Sequence, residues 1–316
     1  MSLEATSTAL PFVSVVIPVY NNRTGLVRTL EGLQQQTYPA PKREILVVDN
    51  GSTEDIRDIT TKYSCVFLQE NQIHNSYAAR NAGVRHATGD IIAFIDADCI
   101  PVRDWLAEGV QTMQNAAADI VGGNVHFTFS SVVPRIAEIT DSIVFLQQEK
   151  YVKYRKTACT ANVFVRKVVF DAMGLFSVKA ASSTDIYFMS RAVQAGHPIA
   201  FSSGAIVRHR ARSFAQLMQK SWRIGTGKGV LLRGGMAAGA VSSPLLYLRE
   251  LNPIQRMRTP FLLSKLNPRT LLQALRQSDR RVSSTTFVGI LLWCYSMVVV
   301  GTVGVLRGFL FGKSTR

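Results

Sequence analysis

Four short apolar runs constrain the fold of this chain more than any other feature. "VSVVIPV" (13–19), "EILVVD" (44–49), "CVFLQE" (65–70) and "IIAFIDAD" (91–98) place apolar residues at consecutive positions and then pass into polar loops. A strand that is apolar on both sides must be covered on both faces, a property of parallel sheets in α/β domains. Between the runs lie segments of helical character at 26–36, after Ser52 or Thr53, and at 75–86. Ser52 or Thr53 is expected to cap the second of these, with Glu54 and Asp55 in its first turn. A further helix is expected to open near Pro101. Strands alternating with helices predict a mostly parallel sheet flanked by helices. In such sheets ligands bind beyond the carboxyl ends of the strands. Asn21–Asn22, Asp49–Ser52 and Asp96–Asp98 all fall at such ends, so three polar loops should meet in one crevice.

Beyond residue 120 the pattern is less regular. "DIVGGNVHF" predicts a strand on the far side of the crevice, and "ACTANVFVRKVVFDAMGLF" a strand, a short helix and a turn. "SSTDIYFMSRAVQAG" predicts a helix that starts after Ser182–Thr184 and ends at Gly196, and "AIVRHRARSF" a last strand with His209 near its end.

The charge is unevenly spread. The formal net charge is +15, and residues 216–316 hold 15 Lys and Arg against two acids, Glu250 and Asp279. Of 36 basic and 21 acidic residues in all, 36−15=21 basic and 21−2=19 acidic ones remain for the first 215 positions. A nearly neutral head is therefore joined to a basic tail, and the tail is the part that needs a partner. The four cysteines, Cys65, Cys99, Cys159 and Cys294, form no CxxC pair, which fits a reducing compartment. The first 18 residues include Glu4 and lack a basic stretch ahead of a long apolar core, so no signal peptide is read there.

Val282–Leu306 is a run of 25 residues without a charge. At about 1.5 Å per residue a helix of that length exceeds a hydrocarbon core of ~30 Å, so one C-terminal transmembrane helix is predicted. Lys265, Arg269, Arg276, Arg280 and Arg281 precede it and Arg307, Lys313 and Arg316 follow. The positive-inside bias then keeps the nearly neutral head in the cytoplasm. Residues 231–281 suit basic amphipathic helices lying on anionic membrane lipids, or an ordinary basic linker. Residues 307–316 form a short basic tail.

The chemistry centres on "IIAFIDADC" at 91–99. A chain seldom ends a buried strand on two acids without something to compensate them. Asp96 and Asp98, two residues apart, can both turn toward one hard cation such as Mg²⁺ or Mn²⁺, which prefers oxygen ligands and shares its shell with phosphates. Spacing alone equally allows Asp98 to cap a helix near Pro101 while Asp96 faces water.

Here the sequence resembles the family-2 glycosyltransferases of the GT-A fold, a Rossmann-like α/β fold. "VSVVIPVYNN" resembles their opening strand, "LVVDNGSTED" their second nucleotide loop, and "AARNAGVRHATGDIIAFIDADC" their Arg-Asn-x-Gly helix leading into a DxD pair. The similarity covers about residues 12–230, within a catalytic domain expected at 1–230. It implies a nucleotide-sugar donor whose base meets Pro18, Val19, Tyr20 and Asp49. It also implies a diphosphate held near Arg80, Asp96, Ala97 and Asp98, with a divalent metal (Mg²⁺ or Mn²⁺) on Asp98 and Asp96. Asn81 and Gly83 would let the helix pack closely. Arg80 could instead pair with an acid on its own helix. Asn50 stands where many relatives carry a second acid.

"SSTDIYFMSRAVQAG" resembles the family's acidic segment, with Asp185, Arg191 and Gly196 matching and Thr184 in place of the usual first acid. The resemblance makes Asp185 the general base of an inverting displacement; without it, a first-turn acid favoured by the helix dipole is the simpler account. His209 matches a position near the metal and is either a third metal ligand or a surface histidine. Arg208, Arg210 and Arg212 are phosphate or acceptor contacts on the same footing. "QKSWRIGTG" lacks the Gln-x-x-Arg-Trp of processive synthases, since Trp222 precedes Arg223, which with a single membrane helix implies a non-processive enzyme. Trp222 is either an acceptor-stacking residue or part of the core. The acceptor is expected to be a glycan or lipid-linked intermediate. A catalytically idle membrane-bound scaffold is the competing reading, drawn from Thr184 and Asn50. Nucleic acid is not expected as a partner, because the basic tail has no compact aromatic-rich module.

Overall fold

Strand β1 (Val13–Val19) shows why the sheet is covered on both sides. Val13, Val15, Ile17 and Val19 enter one buried cluster and Val16 enters another, as the period of two in a strand requires. In the first cluster they meet Leu26, Leu30 and Leu33 of helix α1 (Arg23–Gln34). In the second, Val16 meets Ala79, Ala82 and Val84 of α3 (Ser76–His86). The computed structural model describes residues 10–132, 134–234 and 284–312.

The remaining elements are β2 (Arg43–Asp49), α2 (Arg57–Lys62), β3 (Val66–Gln69), β4 (Ile91–Ile95), β5 (Cys99–Pro101), α4 (Trp105–Asn115) and β6 (Ile120–Thr128). They continue through α5 (Ile136–Val144), α6 (Gln148–Arg155), β7 (Asn162–Arg166), α7 (Lys167–Met173), α8 (Thr184–Gln194), β8 (Ile199–Arg210), α9 (Phe214–Arg233) and α10 (Ser284–Phe311). The strands form one sheet in the order β3-β2-β1-β4-β7-β6-β8-β5. The β3, β2, β1 and β4 ladders are parallel, and so is β6 with β8. β7 runs antiparallel to both its neighbours, and β5 antiparallel to β8. The sheet is therefore mixed, with its parallel half where the four apolar runs predicted it.

Two local expectations are corrected. The second helix opens at Arg57 and not after Ser52 or Thr53. Those residues serve the neighbouring loop instead: Ser52 Oγ accepts the Asn21 N–H at 2.9 Å, and the Thr53 N–H donates to Asn21 Oδ1 at 2.8 Å. Pro101 ends the short edge strand β5, and the next helix waits until Trp105. An edge strand tolerates proline, which has no N–H to offer a further neighbour. Helices α5 and α6 occupy a stretch that had no clear signal, and "QKSWRIGTG" lies inside the single long helix α9.

Within α10, Val288–Phe311 is long and apolar enough to cross a membrane by length and composition. It is not set apart from the head. α9 and α10 run side by side from the Phe214–Trp293 ring contact (3.6 Å between centroids) to Arg233, whose Nη1 donates to Leu310 O at 2.9 Å. A Cβ on Gly225 would collide with Gly301 O, and one on Gly229 with Val305 O, so small residues set how closely the helices approach. Ile290, Trp293, Cys294 and Met297 are buried with Leu217 and Ile139. Val288, Leu292, Tyr295, Val299, Val303 and Leu306 form an exposed apolar stripe on α10. The expected juxtamembrane segment at 231–281 lies almost wholly outside the described residues, as do Lys313 and Arg316.

Candidate active site

The three polar loops are tied together at the carboxyl ends of β1, β2 and β4. Asn22 caps α1 by accepting the Gly25 N–H at 3.1 Å, and its Nδ2 donates to Ala97 O at 3.3 Å. A Cβ at Gly25 would sit 2.5 Å from Ala97 O, so glycine lets α1 approach the loop between the two acids. Ala97 is itself buried. At the end of β2, Asp49 is buried and accepts the Ser52 N–H at 3.1 Å. Asn50 turns inward, donating to Glu70 O and Ile73 O at 2.9 Å each. Its amide therefore braces the loop before α3. Pro18 and Val19 close β1, and Tyr20 beyond them is exposed.

The two acids of the DxD have different partners. Asp96 Oδ1 lies 2.5 Å from Nη2 of Arg80, whose guanidinium is buried. Burial acts against that charge, but Asp96, Tyr77 and Asp185 outweigh it and hold Arg80 above its ordinary value. Asp98 instead faces β8. The antiparallel register of β5 on β8 sets Cys99 opposite His209, which brings His209 Nε2 to 3.4 Å from Asp98 Oδ2. His209 is buried, and its ring packs on Phe127 with 5.5 Å between centroids. Alternation along β8 turns Arg208 and Arg210 outward, so of the three arginines only Arg212 reaches the site.

Arg212 Nη2 lies 2.7 Å from His209 Nε2. The same imidazole nitrogen lies 3.4 Å from Asp98 Oδ2, and Nδ1 is buried with no partner among the described residues. An imidazole lone pair beside a carboxylate is a donor set that a divalent cation fits. Cys99 Sγ belongs to the same group of atoms, all within 4.8 Å of one another. Burial and the nearby carboxylates push its thiol well above its ordinary value, so it stays a thiol, and Asp98 and His209 are the members of the group that could hold a divalent cation.

Asp185 lies in the first turn of α8 and is buried. Its Oδ1 accepts the Tyr77 hydroxyl at 2.8 Å and the Ile186 N–H at 2.9 Å. Its Oδ2 accepts both the N–H and the Oγ–H of Thr160 at 3.0 Å. The Arg80 guanidinium lies 5.3 Å over the Tyr77 ring, so Asp96, Arg80, Tyr77, Asp185 and Thr160 make one continuous polar chain. Tyr77 and Thr160 had no signal in the sequence beyond their neighbours in "SYAARN" and "ACTAN". Asn81 clamps the segment before α8 through Phe176 N–H and O at 3.0 and 2.8 Å. Gly83 packs α3 onto β1, where a side chain would collide with Val16.

Thr184 is fully buried, and its hydroxyl has no partner among the described residues. Arg191 lies over Tyr187, 5.6 Å from the ring centroid, on the exposed side of α8. Trp222 carries the Arg307 guanidinium 5.4 Å from its ring and so meets α10.

The glycosyl transferase family 2 model matches residues 14–173. Glycosyltransferase AglE of Haloferax volcanii is 36% identical over 296 residues, covering 91% of this chain and 93% of the relative. A dolichyl N-acetyl-α-D-glucosaminyl phosphate 3-β-D-2,3-diacetamido-2,3-dideoxy-β-D-glucuronosyltransferase of Methanococcus voltae is 22% identical, covering 71% of this chain and 75% of its own. Among solved structures, the mannosyltransferase PcManGT from Pyrobaculum calidifontis with GDP-Man and Mn²⁺ superposes with a TM-score of 0.64 at 18% identity, covering 96% of this chain and 88% of that one.

Proposed function

The chain belongs to glycosyl transferase family 2, and we propose that it moves a sugar from a nucleotide-diphospho-sugar to an acceptor hydroxyl on a glycan or lipid-linked intermediate, with inversion and one sugar at a time. It is a glycosyltransferase of GT-A fold. The observation that carries the finer reading is the continuous polar chain from Asp96 to Asp185, which joins the DxD loop to the acid in the first turn of α8. The complex of PcManGT with GDP-Man and Mn²⁺ supports a nucleotide-sugar donor and a divalent metal. The name of the Methanococcus voltae relative supports a lipid-linked acceptor.

Asp98 and His209 would hold the divalent cation, with Asp96 beside them. Bound there, such an ion supplies positive charge against a departing diphosphate. Arg80, buried and charged, fixes the Asp96 carboxylate. Pro18, Val19, Tyr20 and Asp49 lie where the nucleoside would rest, and Ala97 closes the loop between the two acids. Asp185 takes the proton of the acceptor hydroxyl as the new bond forms. All four of its lone-pair sites are engaged here, so the acceptor must displace one donor. The rotatable Oγ–H of Thr160 is the partner that yields at least cost. The apolar stripe of α10 would rest in lipid as the membrane anchor, with the catalytic domain on the cytoplasmic side.

The test uses the full chain in detergent with Mn²⁺ and a panel of nucleotide-sugars, reading release of nucleoside diphosphate and transfer to lipid-linked acceptors. Asp98→Asn should abolish metal-dependent nucleotide binding, and Asp185→Asn should leave binding while removing transfer. Wild-type binding in Asp98→Asn refutes the metal assignment, and substantial transfer by Asp185→Asn refutes the base.

A further inference from the structure

Helix α9 buries a lysine that neither the fold nor the residues assigned so far account for. The Lys220 side chain is 10% exposed, and its Nζ has no hydrogen-bond partner among the described residues. Its neighbours are the Phe145 ring, 4.4 Å from Nζ to centroid, and Asp141 Oδ1 at 4.0 Å. Asp141 is wholly buried: its Oδ2 accepts the Arg212 N–H at 2.9 Å and lies 3.4 Å from Arg212 Nη1, while Oδ1, which faces Lys220, has no hydrogen-bond partner among the described residues. One carboxylate thus answers two cations. Arg223, one helical turn after Lys220, is close enough for its charge to bear on both Lys220 and Tyr77. Burial, reinforced by Arg212, draws the Lys220 ammonium down to about 7.

A buried ammonium without a hydrogen bond is costly unless something else pairs with it. Lys220 and Arg212 both face Asp141, Arg212 reaches on toward Asp98, and Arg223 follows Lys220 by one helical turn. Asp98 lies 4.0 Å from Arg212 Nη2, and a divalent cation there would use its charge. The unmatched charge is then positive, compact and dry, which is what a multiply charged oxyanion requires.

We propose that Lys220, together with Arg212 and Arg223, forms a phosphate-binding subsite beside the Asp98–His209 pair. The subsite stands on its own geometry; only the source of the phosphate rests on the glycosyltransferase reading. That source is either the distal phosphate of the donor's diphosphate or the phosphate of a lipid-linked acceptor. Both carry the same oxyanion, and α9 packs along the apolar helix α10.

The experiment uses the full chain in detergent micelles and two probes, inorganic pyrophosphate with Mn²⁺ and a polyprenyl monophosphate. Losing a desolvated charge-assisted contact weakens binding by about 10- to 100-fold. Lys220→Met should therefore weaken pyrophosphate by that factor if the donor supplies the phosphate, or the polyprenyl monophosphate if the acceptor does. Affinities within twofold of wild type for both probes overturn the proposal. Lys220→Met should keep or raise the melting temperature of the unliganded protein; a lower one with unchanged affinities marks a structural ion pair with Asp141 and also overturns it. Lys220→Arg keeps the charge and should keep the affinity, and Lys220→Gln serves if the methionine variant does not fold. Asp98→Asn separates the two readings: pyrophosphate binding that ignores Mn²⁺ and Asp98 but still needs Lys220 refutes the metal site and leaves the subsite standing.

Discussion

The Tyr77 hydroxyl donates to Asp185 Oδ1 at 2.8 Å, and both side chains are buried. Three residues further along α3, Arg80 holds Asp96 at 2.5 Å. Positions three apart share one face of a helix, so a single face of α3 fixes both Asp96 and Asp185. Asn75 caps this helix by accepting the N–H groups of Tyr77 and Ala78 at 3.0 and 2.9 Å. Gly83 seats it on β1. A shift of α3 would move both acids together.

Removing the tyrosine hydroxyl should therefore be felt at both levels. Tyr77→Phe leaves a buried carboxylate one donor short, which costs about 1.5–3 kcal/mol for a hydrogen bond to a charged group. Urea unfolding should show that loss. Transfer should slow while nucleotide affinity stays near wild type, because Arg80 and Asp96 remain paired. Unchanged stability would mean that water or Thr160 replaces the hydroxyl at no cost.

The legible part of this molecule is the part built on period and order. β1 and β4 were visible because a strand covered on both faces must be apolar throughout, and the acids were visible because they interrupt that rule. The register that brings Asp98 to His209 was not, since β5 has only three residues and pairs with a strand more than 100 positions away. For the same reason Arg212 could not be distinguished from Arg208 and Arg210 until the end of β8 was fixed at Arg210, which leaves Arg212 free to turn back toward Asp98. Tyr77 and Lys220 read as ordinary helix residues. Their roles come from α8 and α5, which reach them only through tertiary packing.

The buried lysine sets a pH dependence whose sign follows from its depressed titration. Lys220 is held to about 7 against an ordinary 10.5, burial being the main cause. Below about pH 7 the folded and unfolded chains both carry this proton. Between about 7 and 10.5 only the unfolded chain does, so unfolding takes up a proton and stability rises with pH across that window. Lys220→Met should flatten this rise, with its advantage over wild type greatest at or below pH 7 and shrinking toward pH 10. Urea titrations of both proteins across that range check it, and parallel profiles would exclude a depressed lysine.

Close packing of α9 on α10 predicts a different kind of failure. Gly225→Val puts a side chain where Gly301 O now sits, an overpacking that costs about 1–3 kcal/mol. Local separation of the two helices should then speed N-ethylmaleimide labelling of Cys294 by about five- to hundredfold. That cysteine is buried with Leu217 and Ile139. Unchanged labelling would mean that α10 is held by contacts other than this seam.

Thr184 stands where the family resemblance of its segment implies an acid, and its surroundings say what it does here. It opens α8 next to Asp185, is fully buried, and has a hydroxyl with no partner among the described residues. A desolvated hydroxyl without a partner is a liability, and an apolar group of the same shape removes it. Thr184→Val should therefore hold or raise stability by up to about 1 kcal/mol, with turnover within about twofold of wild type, an energy difference smaller than RT. Melting curves and steady-state transfer check both halves together. A stable variant whose acceptor KM rises steeply while its kcat holds would instead make the hydroxyl an acceptor contact. In that case the threonine would be a specificity residue at the position of the lost acid, and the unpartnered oxygen would be waiting for the substrate.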